Sequence, residues 1–152
     1  MIRIRDAKTA DLNILLTLGY RMRAESIESY PPIDRDHAQK HLDMAIAMPD
    51  VFLVVLAENN GLPIGLMTAA AGPYCFSSRL RTASDLLFVL PENRGGYAAK
   101  RLIRRFKEWS NKIGADSATL SVATGISPDR TGRFFELMGF RSMGTIYQMD
   151  RN

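Results

Sequence analysis

The sequence is poor in the residues that build disulfide frameworks and metal centres. Its 152 residues include one Cys and two His. Cys75 alone can form no internal disulfide and cannot supply the Cys pairs of a zinc finger. His37 and His41 stand four residues apart, which would place them on one face of a helix, but the segment HAQKH lacks the Glu of a metalloprotease helix. We therefore expect no metal site.

Long apolar runs are also missing. No run approaches the roughly 20 residues of a membrane span, and the charged opening MIRIRDAKTADL has no apolar core, so we expect neither a membrane partner nor a signal peptide. Hydrophobic residues make up 46% of the chain and charged residues 24%, which is typical of a globular protein. Without repeats, low-complexity tracts or linkers, residues 1–152 are expected to form one domain. The single Cys favours a reducing compartment, the cytoplasm.

The charge is modestly positive, at +4 with an isoelectric point of about 9.5. Two interpretations stay open for the basic residues after position 99: a solvated helix face, or an electrostatic funnel toward an anionic ligand. Phe106 and Trp109 fall on the apolar face of this segment, so no exposed aromatics interleave with the charges, and a basic nucleic-acid-binding protein is the least favoured alternative function. The basic residues of the segment are Lys100, Arg101, Arg104, Arg105, Lys107 and Lys112.

The first half of the chain predicts two helices followed by hairpins. A short strand, MIRIR, leads to a helix with Thr9 as its N-cap, and the two prolines of SYPPID end that helix. A second helix begins at Asp34 as its cap. The apolar runs at 51–57 and 64–71 predict two strands joined by an Asn-Asn-Gly turn. An irregular hairpin, GPYCFSSRLRT, precedes a further strand at 83–90.

The second half alternates helices with strands. Leu102, Ile103, Phe106 and Trp109 recur with a helical period, which predicts a helix from 98 to 112. A strand at 116–123 follows, and then a helix with Ser127 as its N-cap, Pro128 as its first residue and Gly139 at its end. A final strand is expected at 142–150. The order β-α-α-β-β-β-α-β-α-β predicts an α/β protein with a mixed sheet and helices on both faces.

The segment PENRGGYAAK, residues 91–100, joins a strand to a helix. The first turn of a helix has unpaired N–H groups and a dipole that favours an anion. Gly95 and Gly96 would let a phosphate approach the backbone closely. No Lys-Ser/Thr follows the glycines, so this is not a Walker-type loop, and the dinucleotide pattern G-x-G-x-x-G is absent. A pyrophosphate site and a plain connector both remain open on this chemistry.

The order of elements, with AENNGLPIG, FVLPENRGGYAAKRLI and FFELMGF, resembles the GNAT superfamily of N-acetyltransferases over essentially the full chain. The opening IRIRDAKTADL is also similar to that of the family. The resemblance implies a GNAT-like fold whose central, mostly antiparallel sheet has six to seven strands. It also implies transfer of an acetyl group from acetyl-CoA, the co-substrate, to a primary amine by direct attack. The acceptor is a small-molecule or protein amine.

The pyrophosphate of acetyl-CoA is held, in the family, by the motif Q/R-x-x-G-x-G/A between the fourth strand and the third helix. The resemblance therefore assigns this role to the segment from Arg94 to Ala99. Counted from Arg94, Tyr97 stands where a Gly is usual. Counted from Asn93, Gly96 and Ala98 fit but the first residue does not. The cofactor-binding residues implied here are Arg94, Gly95, Gly96, Tyr97, Ala98 and Ala99.

The pantetheine arm of the cofactor would pair, by the same resemblance, with the backbone of Phe88, Val89 and Leu90, between the strands 83–90 and 116–123. The family's usual Asn near the start of the last helix is replaced by Pro128, so Ser127 either takes that role or only caps the helix. The 3′-phosphate would meet a basic side chain. The residues expected for that contact are Arg133, Lys100, Arg101 and Arg104.

The family's general base is a carboxylate on the fourth strand, and Asp85 is the only carboxylate there. Its usual general acid, a Tyr, is Phe135 here, which cannot donate a proton. Tyr147 or a water then serves as the acid, or the acid is absent, or the chemistry is lost. The last case gives the alternative function, a non-catalytic CoA-binding module.

The acceptor site, in this architecture, would be walled by the first two helices and the loop after the third strand. Its aromatic and rigid residues are Tyr30, Pro31, Pro32, Tyr74 and Phe76. The final strand could pair across a homodimer.

Overall fold

The computed structural model describes residues 1–26, 30–121 and 127–151, which form five strands and four α-helices. The predicted order of elements is confirmed up to the last helix. The strands are β1 (Ile2–Asp6), β2 (Phe52–Asn59), β3 (Leu62–Tyr74), β4 (Ser77–Val89) and β5 (Ser117–Thr119), and the helices are α1 (Leu12–Glu25), α2 (Arg35–Ala47), α3 (Ala98–Lys112) and α4 (Pro128–Leu137). None of the described helices is both long and apolar enough to span a membrane.

The strands form one mixed sheet in the order β1-β2-β3-β4-β5. β1 to β4 pair antiparallel, and β5 pairs parallel with β4. Asn60 and Gly61 join β2 to β3 as a two-residue turn with φ of 50° and 82°, since Asn59 pairs with Leu62. Positive φ at both turn positions matches the right-handed twist of the flanking strands, and Asn-Gly tolerates it best. The predicted hairpin turn is confirmed.

The hairpin of β3 and β4 is longer than predicted. The segment expected to be irregular continues the pairing, with Gly72 opposite Arg81 and Pro73 opposite Leu80. Gly and Pro disfavour strands locally, so the sequence pattern does not predict a strand at these residues. The neighbouring strand supplies the pairing that local propensity does not.

Helices cover both faces of the sheet, as expected. The apolar stripe of α3 is buried, with Leu102, Ile103 and Phe106 fully inaccessible, against β2, β3 and β4. On the other face, α1 and α2 pack Leu12, Leu16 and Leu42 over Val54. The mixed sheet between these layers positions β4 and the turn that follows it.

Two helix caps differ from the predictions. Thr9 does not cap α1, because Thr9–Asp11 form a short 3-10 turn and Asp11 turns back to accept from the Lys8 N–H at 2.7 Å. Ser127 lies in the left-handed region at φ 44° and makes no capping hydrogen bond. Asp34 caps α2 as predicted by accepting from the His37 N–H at 3.0 Å. Gly139 ends α4 at φ 93°.

The sheet has fewer strands than predicted. β5 spans only Ser117–Thr119, and residues 122 and 123 of the predicted strand 116–123 lie outside the described residues. The predicted strand 142–150 is wrong: residues 141–151 form no strand, and Met143, Tyr147 and Met149 are exposed. Alternating apolar residues predict a half-buried strand, but a strand also needs a partner backbone, which the pattern alone does not supply.

A cluster of charges fixes β1 to its neighbours. The Arg5 guanidinium donates to both carboxylate oxygens of Asp11, at 2.6 and 2.9 Å, and to Glu58 of β2 at 2.7 Å. The three side chains are 19%, 8% and 12% exposed, respectively. This Arg5 cluster ties β1, the 3-10 turn and β2 together at the edge of the sheet.

Candidate functional site

The second half of β4 has no described strand on its outer side. β5 pairs only with Arg81–Ala83, so from Ser84 to Val89 no described strand continues the sheet on that side. The Leu90 N–H donates to the Ile64 carbonyl of β3 at 2.8 Å. Backbone groups alternate along an antiparallel pair, so those of the preceding residue, Val89, face the opposite side. The backbone donor and acceptor of Val89 thus face the outer side of β4.

A run of unpaired amides follows directly in the chain. The Arg94 N–H donates to Pro91 at 3.3 Å, and the Arg101 N–H donates to Tyr97 at 2.9 Å. Between them, the N–H groups of residues 95–100 have no acceptor within the described parts of the chain. Gly95, Gly96 and Tyr97 are exposed at this point. These amides, with the positive end of the α3 dipole, can bind an anion.

The two glycines serve different purposes. Gly95 has φ of 85°, a conformation in which a side chain is strained. Gly96 has no such constraint, and a Cβ built on it would meet only the Asn93 carbonyl, at 3.8 Å. The fold would therefore accept a side chain at Gly96, which stands within the run of amides. Tyr97 is 68% exposed beside them.

Arg94 crosses from this turn to its neighbours. Its Nε donates to the Val89 carbonyl at 2.9 Å, and its guanidinium pairs with the Glu25 carboxylate, with Nη2 to Oε2 at 2.8 Å. The guanidinium also lies 5.6 Å from the centre of the Phe88 ring. Arg94 thus joins the end of β4 to the last residue of α1.

A second ion pair runs parallel to the first. Arg21, one helical turn before Glu25 on α1, donates to Glu92 at 3.0 Å. The two pairs have opposite polarity, since α1 supplies one cation and one anion and the turn supplies the matching charges. We call Arg21–Glu92 together with Glu25–Arg94 the double ion pair. It holds the end of α1 against the turn that carries the amides.

Asp85 stands at a β-bulge. Thr68 of β3 pairs with Leu86, and the next residue, Ala69, pairs with Ser84, so Asp85 is an extra residue in β4. Asp85 remains accessible to solvent, yet partial burial raises the pKa of its carboxyl group, while the charge of His41 on α2 lowers it. A carboxylate with a raised pKa is a stronger base near neutral pH. Asp85 lies on the helical α1–α2 side, where His41 acts on it.

No described hydrogen bond, ion pair or ring contact joins Tyr147, Phe135, Arg133 or Ser127 to Asp85. Tyr147 is 90% exposed in the segment 141–151. Phe135 is buried in α4, with its ring centre 6.3 Å from that of Phe134. Arg133 is exposed on the same helix, and Ser127 precedes it.

Of the residues predicted to wall the acceptor site, Tyr30 and Tyr74 make described hydrogen bonds. The Tyr30 carbonyl accepts from Arg23 Nε at 2.8 Å, and Pro31 and Pro32 are exposed. The Tyr74 hydroxyl bonds to Ser117 Oγ at 2.5 Å and so joins β3 to β5. Phe76 is fully exposed at the end of the β3–β4 hairpin.

Part of the basic segment has a structural role. Arg101 donates to the Ile2 carbonyl, Arg105 donates to Asp6 at 2.9 Å, and Lys107 donates to the Met138 carbonyl at 3.0 Å. These contacts tie α3 to β1 and to the end of α4. Lys100 and Arg104 are exposed, which leaves them available to an anionic ligand.

Solved structures share this arrangement along the whole chain. An acetyltransferase from Trypanosoma brucei superposes with a TM-score of 0.76 at 20% identity, covering 99% of this chain and 100% of the other. The chain has the GNAT fold. A ribosomal-protein-alanine N-acetyltransferase from Brucella melitensis gives 0.76 at 14% identity, with both chains covered completely. An aminoglycoside acetyltransferase from a soil metagenome, solved with sisomicin, gives 0.78 at 16%, covering 99% and 95%.

No protein-family model matches the sequence, and no curated protein matches it either. At the identities found, the likeness to the solved GNAT structures establishes the fold. The resemblance seen in the sequence is therefore confirmed at the level of architecture. Function has to be argued from the residues themselves.

Sequence reasoning missed Ser84 and the α1 partners of the turn. Arg21 and Glu25 have a spacing that places them on one face of α1, but nothing in the sequence says which loop they meet. Ser84 precedes Asp85 in the chain, and only the register of β3 against β4 reveals the bulge between them. A one-residue shift in pairing has no local sequence signal here.

Proposed function

We propose that this protein is an N-acetyltransferase that transfers the acetyl group of acetyl-CoA to a primary amine by direct attack. The observation that carries the proposal is the run of amides at residues 95–100 that have no acceptor among the described residues, placed directly after a strand whose outer edge, from Ser84 to Val89, pairs with no described strand. In the GNAT fold, this strand and turn are where the sequence resemblance assigns the cofactor. The geometry suits a ligand with a long amide-bearing arm and a pyrophosphate.

The residues present fit acetyl-CoA as co-substrate. The amides from Gly95 through Ala99 would hold the pyrophosphate, because they lie at the N-terminus of α3 and have no acceptor among the described residues. Val89 offers its backbone to the pantetheine arm, with Phe88 and Leu90 on either side. Its carbonyl accepts from Arg94 Nε, but a carbonyl oxygen has two lone pairs and can accept again. When bound, acetyl-CoA supplies the thioester carbonyl that the amine attacks.

Charges for the 3′-phosphate remain available around α3 and α4. Arg133, Lys100 and Arg104 are exposed, whereas Arg101 already donates to the Ile2 carbonyl. Exposed Arg and Lys side chains bind phosphate oxygens with charge-assisted hydrogen bonds. Ser127, before α4, is assigned to the pantetheine arm.

Asp85 is the proposed general base. Its carboxylate takes a proton from the acceptor amine, whose nitrogen forms the new amide bond as the bond to sulfur breaks and the thiolate leaves. The raised pKa brings Asp85 closer to the range in which a base accepts protons efficiently. Tyr147 or a water protonates the thiolate, since Phe135 cannot.

Calorimetry with CoA and acetyl-CoA tests the binding half of the proposal. We expect Gly96→Val to lower the affinity for both ligands at least tenfold by crowding the amides. Gly72→Val is the matched control, because a Cβ at Gly72 meets nothing within 4 Å. No heat of binding at about 1 mM ligand would refute the cofactor assignment.

A second candidate is a CoA-binding module without catalysis. The observation that favours it is the buried Phe135 in place of the usual proton donor. Thiolates leave readily, so a missing acid does not by itself abolish transfer. Binding of acetyl-CoA without acetylation across a panel of amines would support this candidate over the enzyme.

The proposed acceptor is a small-molecule or protein amine. The solved relatives named above act on an aminoglycoside and on a ribosomal-protein alanine, by their descriptions, so the fold is compatible with both classes. Acetylation assays should therefore include aminoglycosides, polyamines, amino acids and peptide N-termini. We place the enzyme in the cytoplasm, as its single Cys favours; cell fractionation tests this.

A homodimer is part of the proposal. The segment 141–151 exposes Met143, Ile146 and Met149, which a second copy would cover. Sedimentation equilibrium of the parent and of a variant with Ile146→Asp tests it. We expect a dimer that the substitution dissociates, and a parent monomer would exclude it.

A further inference from the structure

Ser84 is a buried hydroxyl at the bulge of β4. The side chain belongs to a residue only 8% exposed. Its Oγ lies 3.2 Å from the Thr68 carbonyl of β3 and 3.3 Å from the Leu86 carbonyl on the far side of Asp85. One hydroxyl has one proton, which the two carbonyl oxygens share. Ser84 thus connects both strands across the irregular position.

The bulge determines which way Asp85 points. Side chains alternate along a strand, so an extra residue shifts the alternation on one side of it relative to the other. The backbone ladder is locally interrupted, and its carbonyls need another donor. The Ser84 hydroxyl is that donor, which stabilises the bulged pairing against a regular one.

We propose that Ser84 is a positioning residue that fixes the β4 bulge and thereby the orientation of the Asp85 carboxylate. The proposal rests on the proposed function only in taking Asp85 as the base. The hydroxyl touches neither substrate nor cofactor, and it acts through the backbone at Thr68 and Leu86.

The surroundings of Asp85 make its orientation measurable. Partial burial raises the pKa of the carboxyl group, and His41 on α2 is the charged group that acts on it. A carboxylate released from this position gains water, so its pKa moves down toward the ordinary value of 3.8. The titration of Asp85 therefore reports whether the bulge is intact.

Carboxyl ¹³C NMR titration of Asp85 in Ser84→Ala is the test, and it requires no ligand. We expect the Asp85 pKa to fall toward 3.8 relative to the parent protein. Ser110→Ala is the matched control, because Ser110 on α3 is also buried and its Oγ bonds to Thr82 Oγ1 at 2.7 Å rather than to the Thr68 or Leu86 carbonyl. The control should leave the Asp85 titration unchanged.

An Asp85 titration that is identical in Ser84→Ala and the parent would overturn the proposal. If Ser84→Ala does not fold, Ser84→Cys, with a weaker donor of similar size, is titrated under the same criterion. Ser84→Thr retains the hydroxyl and should keep the parent pKa; a shift as large as that of the Ala variant would also count against the proposal.

Activity separates this inference from the proposed function. If the enzyme transfers acetyl groups, Ser84→Ala should lower kcat about tenfold, part of what a general base contributes, with the affinity for CoA unchanged. Its pH–rate profile should move to lower pH, as the titration does. Failure of CoA to bind would refute the proposed function while leaving the Asp85 titration result valid.

Discussion

Replacing Arg5 with Met should destabilise the fold strongly while leaving its shape intact. Met has similar length and no charge, so the change removes the three hydrogen bonds to Asp11 and Glu58, at 2.6, 2.9 and 2.7 Å, and a fourth to the Asp6 carbonyl at 3.3 Å, without opening a large cavity. Asp11 and Glu58 are only 8% and 12% exposed, and both lose their cationic partner. Removing one partner of a buried pair costs about 3–5 kcal/mol. Arg5 itself is 19% exposed, which favours the lower end, about 3 kcal/mol.

Urea unfolding followed by circular dichroism measures this loss. A domain of ordinary stability has roughly 5–15 kcal/mol, so a loss of about 3 kcal/mol shifts the midpoint clearly. Arg79→Met is the control, because the Arg79–Asp116 pair lies on the surface, where Arg79 is 73% exposed. We expect that variant to unfold near the parent midpoint, as exposed pairs contribute little. Equal losses in the two variants would refute the reasoning.

The same effect should depend on pH in a defined direction. Hydrogen bonds from Arg5 lower the pKa of Asp11 below its ordinary value of 3.8, and the Lys8 N–H adds to this. A lowered carboxyl pKa stabilises the fold fully above that ordinary value, and the stabilisation is lost as the pH falls through the folded pKa. The difference between parent and Arg5→Met should therefore shrink below about pH 4. A difference that stays constant down to about pH 2 would contradict the assignment.

Two other substitutions test the site. Asp85→Asn should lower kcat by about 10²-fold or more with CoA affinity unchanged. It should also remove the rise in rate as the pH passes the raised pKa of Asp85. An unchanged pH–rate profile would exclude Asp85 as the base. Gly65→Ala should destabilise the protein by about 1–3 kcal/mol, since its Cβ would lie 2.7 Å from the Phe88 carbonyl and push β4 outward. CoA affinity should fall as well, whereas Gly72→Ala, with open space around it, should change neither midpoint nor affinity.

The sequence predicts local elements well where one segment carries the whole signal. The bounds of α3, 98 to 112, are those observed, because its apolar period and the following Gly114 are both local. The Asn60-Gly61 turn and the glycine-rich start of α3 are likewise visible in a few residues. From these local features the sequence predicts α3, the β2–β3 turn and the amides at the start of α3.

Pairing between distant segments is where prediction fails. Residues 142–150 have the alternation of a strand and form none, whereas Gly72 and Pro73 lack that alternation and yet belong to β3. The contact of Arg94 with Glu25 depends on how α1 packs on the sheet, and the bulge at Asp85 depends on how β4 pairs with β3. The site assignments rest on resemblance and chemistry, and the experiments above test them.

The double ion pair divides the contact between α1 and the β4–α3 turn into two components with different responses to solvent. Leu18 and Leu90 belong to one apolar cluster beneath it, which salt does not weaken. The ionic component is exposed, at 49% and 56% for Arg21 and Glu92 and 35% and 28% for Arg94 and Glu25. Salt screens such charges over about 8 Å at physiological strength. Raising the ionic strength should therefore weaken the contact between α1 and the β4–α3 turn, while the apolar cluster beneath it is unaffected.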